Sequence, residues 1–270
     1  MKTYEIDAAI VRCKFCGLQN RLVRAHIIPE SFFREQRGKS PTLLMVGGAE
    51  AFTKRAPIGV YDAQLLCAEC ESKFGDLDSY AAQILIEKFD DLFSPMQLNG
   101  IVAGYESKFI DQERLLRFLV SLLWRASASS ESFYRAVELG PFEADAMHAV
   151  NRPLEPISTV FGAVLSRWTP PSDLGIDTHG IMDPFFERWG GVNAYRFSLG
   201  KTMAYVRVDK REFPPNLRSQ SLCANEVLRL PVRNFSASKD FSAMRNTVKL
   251  NHQNHLNFVP APLRRTEGER

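Results

Sequence analysis

Two Cys-x-x-Cys pairs, Cys13-Lys-Phe-Cys16 and Cys67-Ala-Glu-Cys70, constrain this chain more than any other feature of it. Each pair forms a tight knuckle whose sulfurs point the same way, so four thiolates come within reach of one ion, and four sulfurs in a tetrahedron select zinc. Gly17 follows Cys16 and supplies the permissive backbone that such a turn uses. Two redox dithiols are the competing reading, but neither pair sits in the thioredoxin-like βαβ context that reading requires. The segment between the pairs is longer than a zinc ribbon needs and therefore carries something besides the metal. It contains His26, in Arg24-Ala-His26-Ile-Ile-Pro29-Glu30.

The order of parts is a knuckle, then His-Ile-Ile-Pro, then Leu66-Cys67-Ala-Glu-Cys70-Glu71 opening a helix. Over roughly residues 10 to 90 this order resembles the HNH (His-Me finger) endonucleases built on a treble-clef zinc scaffold. In that superfamily a histidine activates water for attack on a phosphodiester, a divalent cation holds the scissile phosphate, and the thiolate zinc is structural. By position, the resemblance makes Cys13, Cys16, Cys67 and Cys70 the structural Zn²⁺ ligands and His26 the general base. Glu71 stands where the family usually has Asn or His, and its carboxylate is a hard oxygen ligand suited to a catalytic Mg²⁺ or Mn²⁺. The residue just before the histidine is usually Asp, Glu or His and ligates that cation; here it is Ala25. The implied partner is nucleic acid, double-stranded DNA, in an anti-phage or mobile-element setting. Ala25 also supports a reading from another class, a zinc-stabilised nucleic-acid- or protein-binding module whose nuclease centre has decayed.

The residues themselves leave His26 between a satisfied core histidine and a base. With an unperturbed pKa near 6.5 an imidazole at a strand end accepts a proton at neutral pH, more readily if a carboxylate holds its other nitrogen. Glu30 is either that carboxylate or an exposed helix-start residue. Among the other histidines, His148 and His179 read as structural or solvated, and His252 and His255 have a spacing that can pinch a metal but lie in a polar tail.

At 270 residues and 45% hydrophobic content the chain is expected to form two domains. A net charge of +3 and pI near 8.6 neither demand nor exclude a polyanionic partner. Met1 to Cys13 lacks the apolar run of a signal peptide and nothing approaches a membrane span, so the expectation is a cytoplasmic chain with metal thiolates rather than disulfides. Cys223, outside the pairs, reads as a small buried hydrophobe.

The expected fold class is α+β: a treble-clef (ββα-metal) zinc domain over 1–93, a linker over 94–110, a mixed helical and β-hairpin accessory domain over 111–250, and a flexible tail over 251–270. Residues 4–12 read as a strand or an extended lead-in, Leu22–Ile28 as a strand ended by Pro29, and 30–37 as a helical turn. Residues 38–51 read as irregular, and Arg34, Arg37, Lys39, Lys54 and Arg55 make this insertion basic, either a solvated loop or a phosphate contact. From Cys67, Phe74, Leu77, Tyr80, Ile84 and Phe89 recur at helical spacing. Glu71 and Asp78 share nearly one face of that helix, about 10 Å apart at 1.5 Å per residue, so Asp78 either orients His26 or a water from behind or is solvated surface. Asp111 is a predicted N-cap for a helix carrying Leu115 to Leu123. Residues 157–168 are ambiguous between strand and helix, 169–191 reads as loop, and 193–209 is a hairpin around Leu199-Gly200-Lys201. Arg114, Arg117, Arg125, Lys201, Arg207, Lys210 and Arg211 read as a duplex grip or as ordinary surface. The C-terminal part is open to target recognition, a protein partner or homodimerisation.

Overall fold

The computed structural model describes residues 12–37, 44–45, 54–55, 59–169 and 182–239, together with Phe241, Ser242, Arg245, Asn246 and Lys249. The lead-in at 4–11, most of the basic insertion, His179, and the tail with His252 and His255 lie outside the described residues.

The fold is mixed α+β. Strand β1 (Leu22–His26) pairs antiparallel with β4 (Tyr61–Cys67), and the turn-and-helix α1 (Glu30–Arg37) and the short pair β2 (Leu44–Met45) and β3 (Lys54–Arg55) lie between them in the chain. Helix α2 (Ala68–Ala82) starts directly from β4, and its apolar stripe buries Phe74, Ala81 and Ala82. It runs on through a π-helical turn, Gln83–Glu87, into α3 (Phe89–Leu92).

The rest of the chain is a seven-stranded sheet with helices on it. Its strands are β5 (Ser94–Leu98), β6 (Ile101–Ser107), β7 (Phe161–Trp168), β8 (Phe185–Trp189), β9 (Val192–Leu199), β10 (Thr202–Val208) and β11 (Leu228–Arg233), in the order β5-β6-β11-β7-β10-β9-β8. The expected hairpin is β9–β10, paired Thr202 to Leu199. Residues 94–107, read from composition as a linker, instead form the β5–β6 hairpin. Its turn is Asn99-Gly100, with φ of 52° and 77°, the paired left-handed conformations of a tight hairpin. The stretch read as loop up to Gly191 contains β8, at the other edge.

Helix α4 (Gln112–Ala128) is the central element. The Asp111 side chain accepts the Arg114 N–H at 2.9 Å, capping it as expected, and Leu115 to Ala126 are all buried. It packs α2 and α5 (Glu143–Asn151) on one side and β7 and β10 on the other. Strands β7 and β10 are buried along their whole length, because one face meets α4 and the other meets a second apolar cluster with Trp168, Met203, Tyr205 and Phe235. A strand buried on both faces has no alternation, which is why 157–168 read ambiguously.

One apolar cluster runs from Cys13 and Phe15 through Phe74 and Trp124 to Leu230, so the segments expected as separate domains bury side chains together. Phe15 meets Trp124 edge-on at 4.9 Å and Phe74 stacks on it at 5.8 Å.

Most of the arginines read as a duplex grip are internal. Arg117 is buried and donates to the Ala149 carbonyl at 2.8 Å. Arg207 is buried and donates to the carbonyls of Thr159 and Phe161. Arg211 pairs with Asp209 at 2.6 Å, and Arg114 lies on the Tyr80 ring. Cys223, read as buried, is exposed, with φ of 63°. His148 forms an exposed pair with Glu155. Among the described residues no helix is long and apolar enough to cross a membrane.

Candidate functional site

The pairing of Leu22 with Cys67 carries the first knuckle to the β4–α2 junction, where Cys67 ends the strand and Cys70 lies in the first turn of the helix. The knuckle is closed by Gly17 N–H to the Cys13 carbonyl at 2.8 Å, with Gly17 at φ 72°, and is tied to β4 by Lys14 N–H to the Leu65 carbonyl. All four sulfurs lie within 4.8 Å of one another, and Cys16 and Cys67 are 4.0 Å apart. A tetrahedral zinc with bonds of about 2.3 Å separates its sulfurs by about 3.8 Å, so the cluster can hold an ion such as zinc. Burial pushes the Cys13 thiol up, but N–H groups of Cys16, Cys67 and Phe15 outweigh it and bring it to about 7.

His26 ends β1, half-buried, with the Ala25 side chain turned to the core on the opposite face. Its backbone is held at both ends. The His26 N–H bonds to the Glu71 carboxylate on the first turn of α2, and Arg125 Nη1 donates to the His26 carbonyl at 2.8 Å. Arg125 is fully buried on α4, its guanidinium over the Phe74 ring at 4.9 Å, and makes a two-pronged pair with Asp78 at 2.6 and 2.8 Å. It is therefore no part of a duplex grip. Asp78, in turn, is not solvated surface: its side chain is 17% exposed and its carboxylate interacts electrostatically with His26. Burial pushes that carboxyl up and the Arg125 guanidinium pulls it back.

Glu71 is half-buried; burial raises its carboxyl, Arg125 opposes the rise and Asp78 adds to it. Its Oε2 is buried with no hydrogen-bond partner among the described residues. Glu71 and His26 are thus brought together through the histidine backbone, while the carboxylate that acts on the imidazole is that of Asp78. Asp78 also lines a polar cavity of about 540 Å³ with Pro29, Ser31, Asp76 and Ser79.

Asp62 and Tyr61 are site residues that sequence reasoning missed, and Arg125 is one to which it gave another role. Arg125 carried a signal, a lone cation among Leu119 to Ala126 of an apolar helix, where burial requires a charge partner. Asp62 is 1% exposed; its Oδ2 accepts from Ser129 Oγ, Ser130 Oγ and the Ser130 N–H, fixing β4 to the end of α4. Tyr61 is the cross-strand partner of His26, their rings 6.0 Å apart and edge to face. Comparison of the chain with protein-family models, curated proteins and solved structures finds no match.

Proposed function

We propose that this protein is an endonuclease of the HNH type that hydrolyses phosphodiester bonds in double-stranded DNA, with a structural zinc on Cys13, Cys16, Cys67 and Cys70 in a treble-clef scaffold. One observation carries the reading. A half-exposed histidine ends the first strand of a strand–strand–helix unit whose junction is a four-cysteine cluster, and its main chain is fixed on both sides. A base held by its backbone keeps its ring in a narrow range of positions, which is what proton abstraction from a positioned water needs. The His26 imidazole takes a proton from that water, the hydroxide forms the new P–O bond, and the ester oxygen leaves. The Asp78 carboxylate stabilises the imidazolium so produced, with Arg125 holding Asp78 in place.

Among the described residues a hard divalent cation has one candidate ligand beside His26, the buried Glu71 Oε2, which has no hydrogen-bond partner among them. When bound there, Mg²⁺ or Mn²⁺ neutralises charge on the phosphate and the leaving oxygen. Ala25 offers no ligand, and the other Glu71 oxygen is engaged with His26, so phosphate oxygens and water would complete the shell. The same scarcity of ligands favours the second reading, a binding module that has lost its catalytic centre.

Purified protein is incubated with supercoiled plasmid and Mg²⁺ or Mn²⁺ beside His26→Ala. Cation-dependent nicking lost in the variant supports the nuclease. If both proteins are inert but retard DNA on a gel, the binding module stands, and equal nicking by both rejects His26 as the base.

A further inference from the structure

The β1–β4 pairing is irregular at one point. Val23 faces Leu66 and Ala25 faces Asp62, so Arg24 lies opposite Ala63, Gln64 and Leu65 together. Asp62 builds this bulge: its Oδ1 accepts the Gln64 N–H at 2.7 Å. The extra residues lie on β4, and the single residue facing them from β1 is a cation two positions before His26, on the same face of the strand. The Arg24 guanidinium lies over the Tyr61 ring, 5.2 Å from its centroid, and the same ring meets His26 edge-on at 6.0 Å. Tyr61 thus spaces a permanent positive charge from the imidazole by one ring.

Arg24 is exposed, and among the described residues no carboxylate or carbonyl accepts a hydrogen bond from it or from its exposed neighbour Arg21. The run from Arg12 to Arg24 contains Arg12, Lys14, Arg21 and Arg24 and no acidic residue. The carboxylates around it are Asp62 on β4, engaged with Gln64, Ser129 and Ser130, Glu30 on α1, paired with Arg34, and Glu69, Glu71, Asp76 and Asp78 on α2. A planar fork whose donors meet no acceptor among the described residues, preset over an aromatic face, is suited to a phosphate oxygen pair.

We propose that Arg24, seated on Tyr61 and supported by Arg21, binds the DNA phosphate adjoining the one attacked at His26, so that the duplex lies along the knuckle and β1 rather than across the seven-stranded sheet. This rests on the nuclease reading above and names the surface that it uses. Of the seven residues that the sequence suggested as a grip, Arg117, Arg125 and Arg207 are internal, which leaves Arg114, Lys201, Lys210 and Arg211 outside the core.

The test is binding of a fluorescein-labelled 20-base-pair duplex to the full zinc-loaded chain without added Mg²⁺, followed by anisotropy across a KCl series. Arg24→Ala, Arg24→Lys and Arg21→Ala are compared with Lys210→Ala, an exposed cation beyond β10. Loss of one phosphate contact weakens binding about tenfold and flattens the slope of log K against log salt by about 0.9. Arg24→Ala is expected to do both at unchanged melting temperature, Arg24→Lys to restore the slope but not the full affinity, and Lys210→Ala to do neither. Arg21→Ala, which touches neither the bulge nor Tyr61, should flatten the slope as well. If Arg24→Ala binds with wild-type affinity and slope while His26→Ala still abolishes nicking, the surface is wrong and the nuclease stands. An equal loss in Lys210→Ala also overturns the surface. If wild type neither binds nor nicks, both fall.

Discussion

Asp62 does two jobs with one carboxylate, closing the bulge under Arg24 through Gln64 and pinning the end of α4 through Ser129 and Ser130. Burial alone would raise its pKa, but the N–H groups of Ser130 and Gln64 and the serine hydroxyls outweigh it and hold it below the ordinary value. A depressed carboxyl contributes stability above its unfolded pKa of about 3.9 and loses it as pH falls through the folded value. Asp62→Asn is therefore expected to lower stability by about 1–3 kcal/mol at pH 7 and to shrink the acid-side loss below about pH 4, both read by urea melts across pH. Arg125 is the other critical residue. Arg125→Met leaves Asp78 and the His26 carbonyl without their donor, a cost of about 3–5 kcal/mol, and the double variant Asp78→Leu/Arg125→Met should recover part of it. A double variant no more stable than Arg125→Met would remove the pair from the account. Neither residue's partner was legible in the sequence, since helical spacing gives the face a side chain occupies but not what packs there. A cation inside an apolar helix did announce that some partner exists.

The stripe of α2 and the Asp111 cap of α4 lie where spacing and capping put them, and the β9–β10 hairpin turns at Leu199-Gly200-Lys201, where its turn residues put it although both faces of β10 are covered. Strand β7 defeated the same method because both its faces are covered, leaving apolar residues without a period. The β5–β6 hairpin was legible and overlooked. Asn99-Gly100 is the dipeptide that a tight hairpin turn prefers, but the surrounding glycine and polar residues suggested a linker. Gly100→Ala tests that turn cleanly. A Cβ there meets nothing within 4 Å, so only the positive φ of 77° opposes it, and the expected loss is about 1–2 kcal/mol by chemical denaturation. No measurable loss would mean that the turn relaxes into another conformation.

For the molecule as a whole, the knuckle and the sheet share a core through Phe15, Phe74 and Trp124, so the four-cysteine cluster belongs to the stability of that shared core. Chelation under reducing conditions is expected to lower the melting temperature in one transition, with Trp near-ultraviolet and far-ultraviolet signals moving together. Separate transitions would show two independent units. The architecture brings a strand-end imidazole, a buried carboxylate–guanidinium pair and an outward arginine to one end of the β1–β4 ribbon, and the claim that matters most is that His26 is the base. Chemical rescue tests it most directly: plasmid nicking by His26→Ala with Mn²⁺ is measured with and without added free imidazole near pH 7. The account predicts a variant slowed at least a hundredfold whose activity rises with imidazole concentration, following the neutral form of the base. A variant that nicks at the wild-type rate, or that imidazole leaves unchanged, contradicts it.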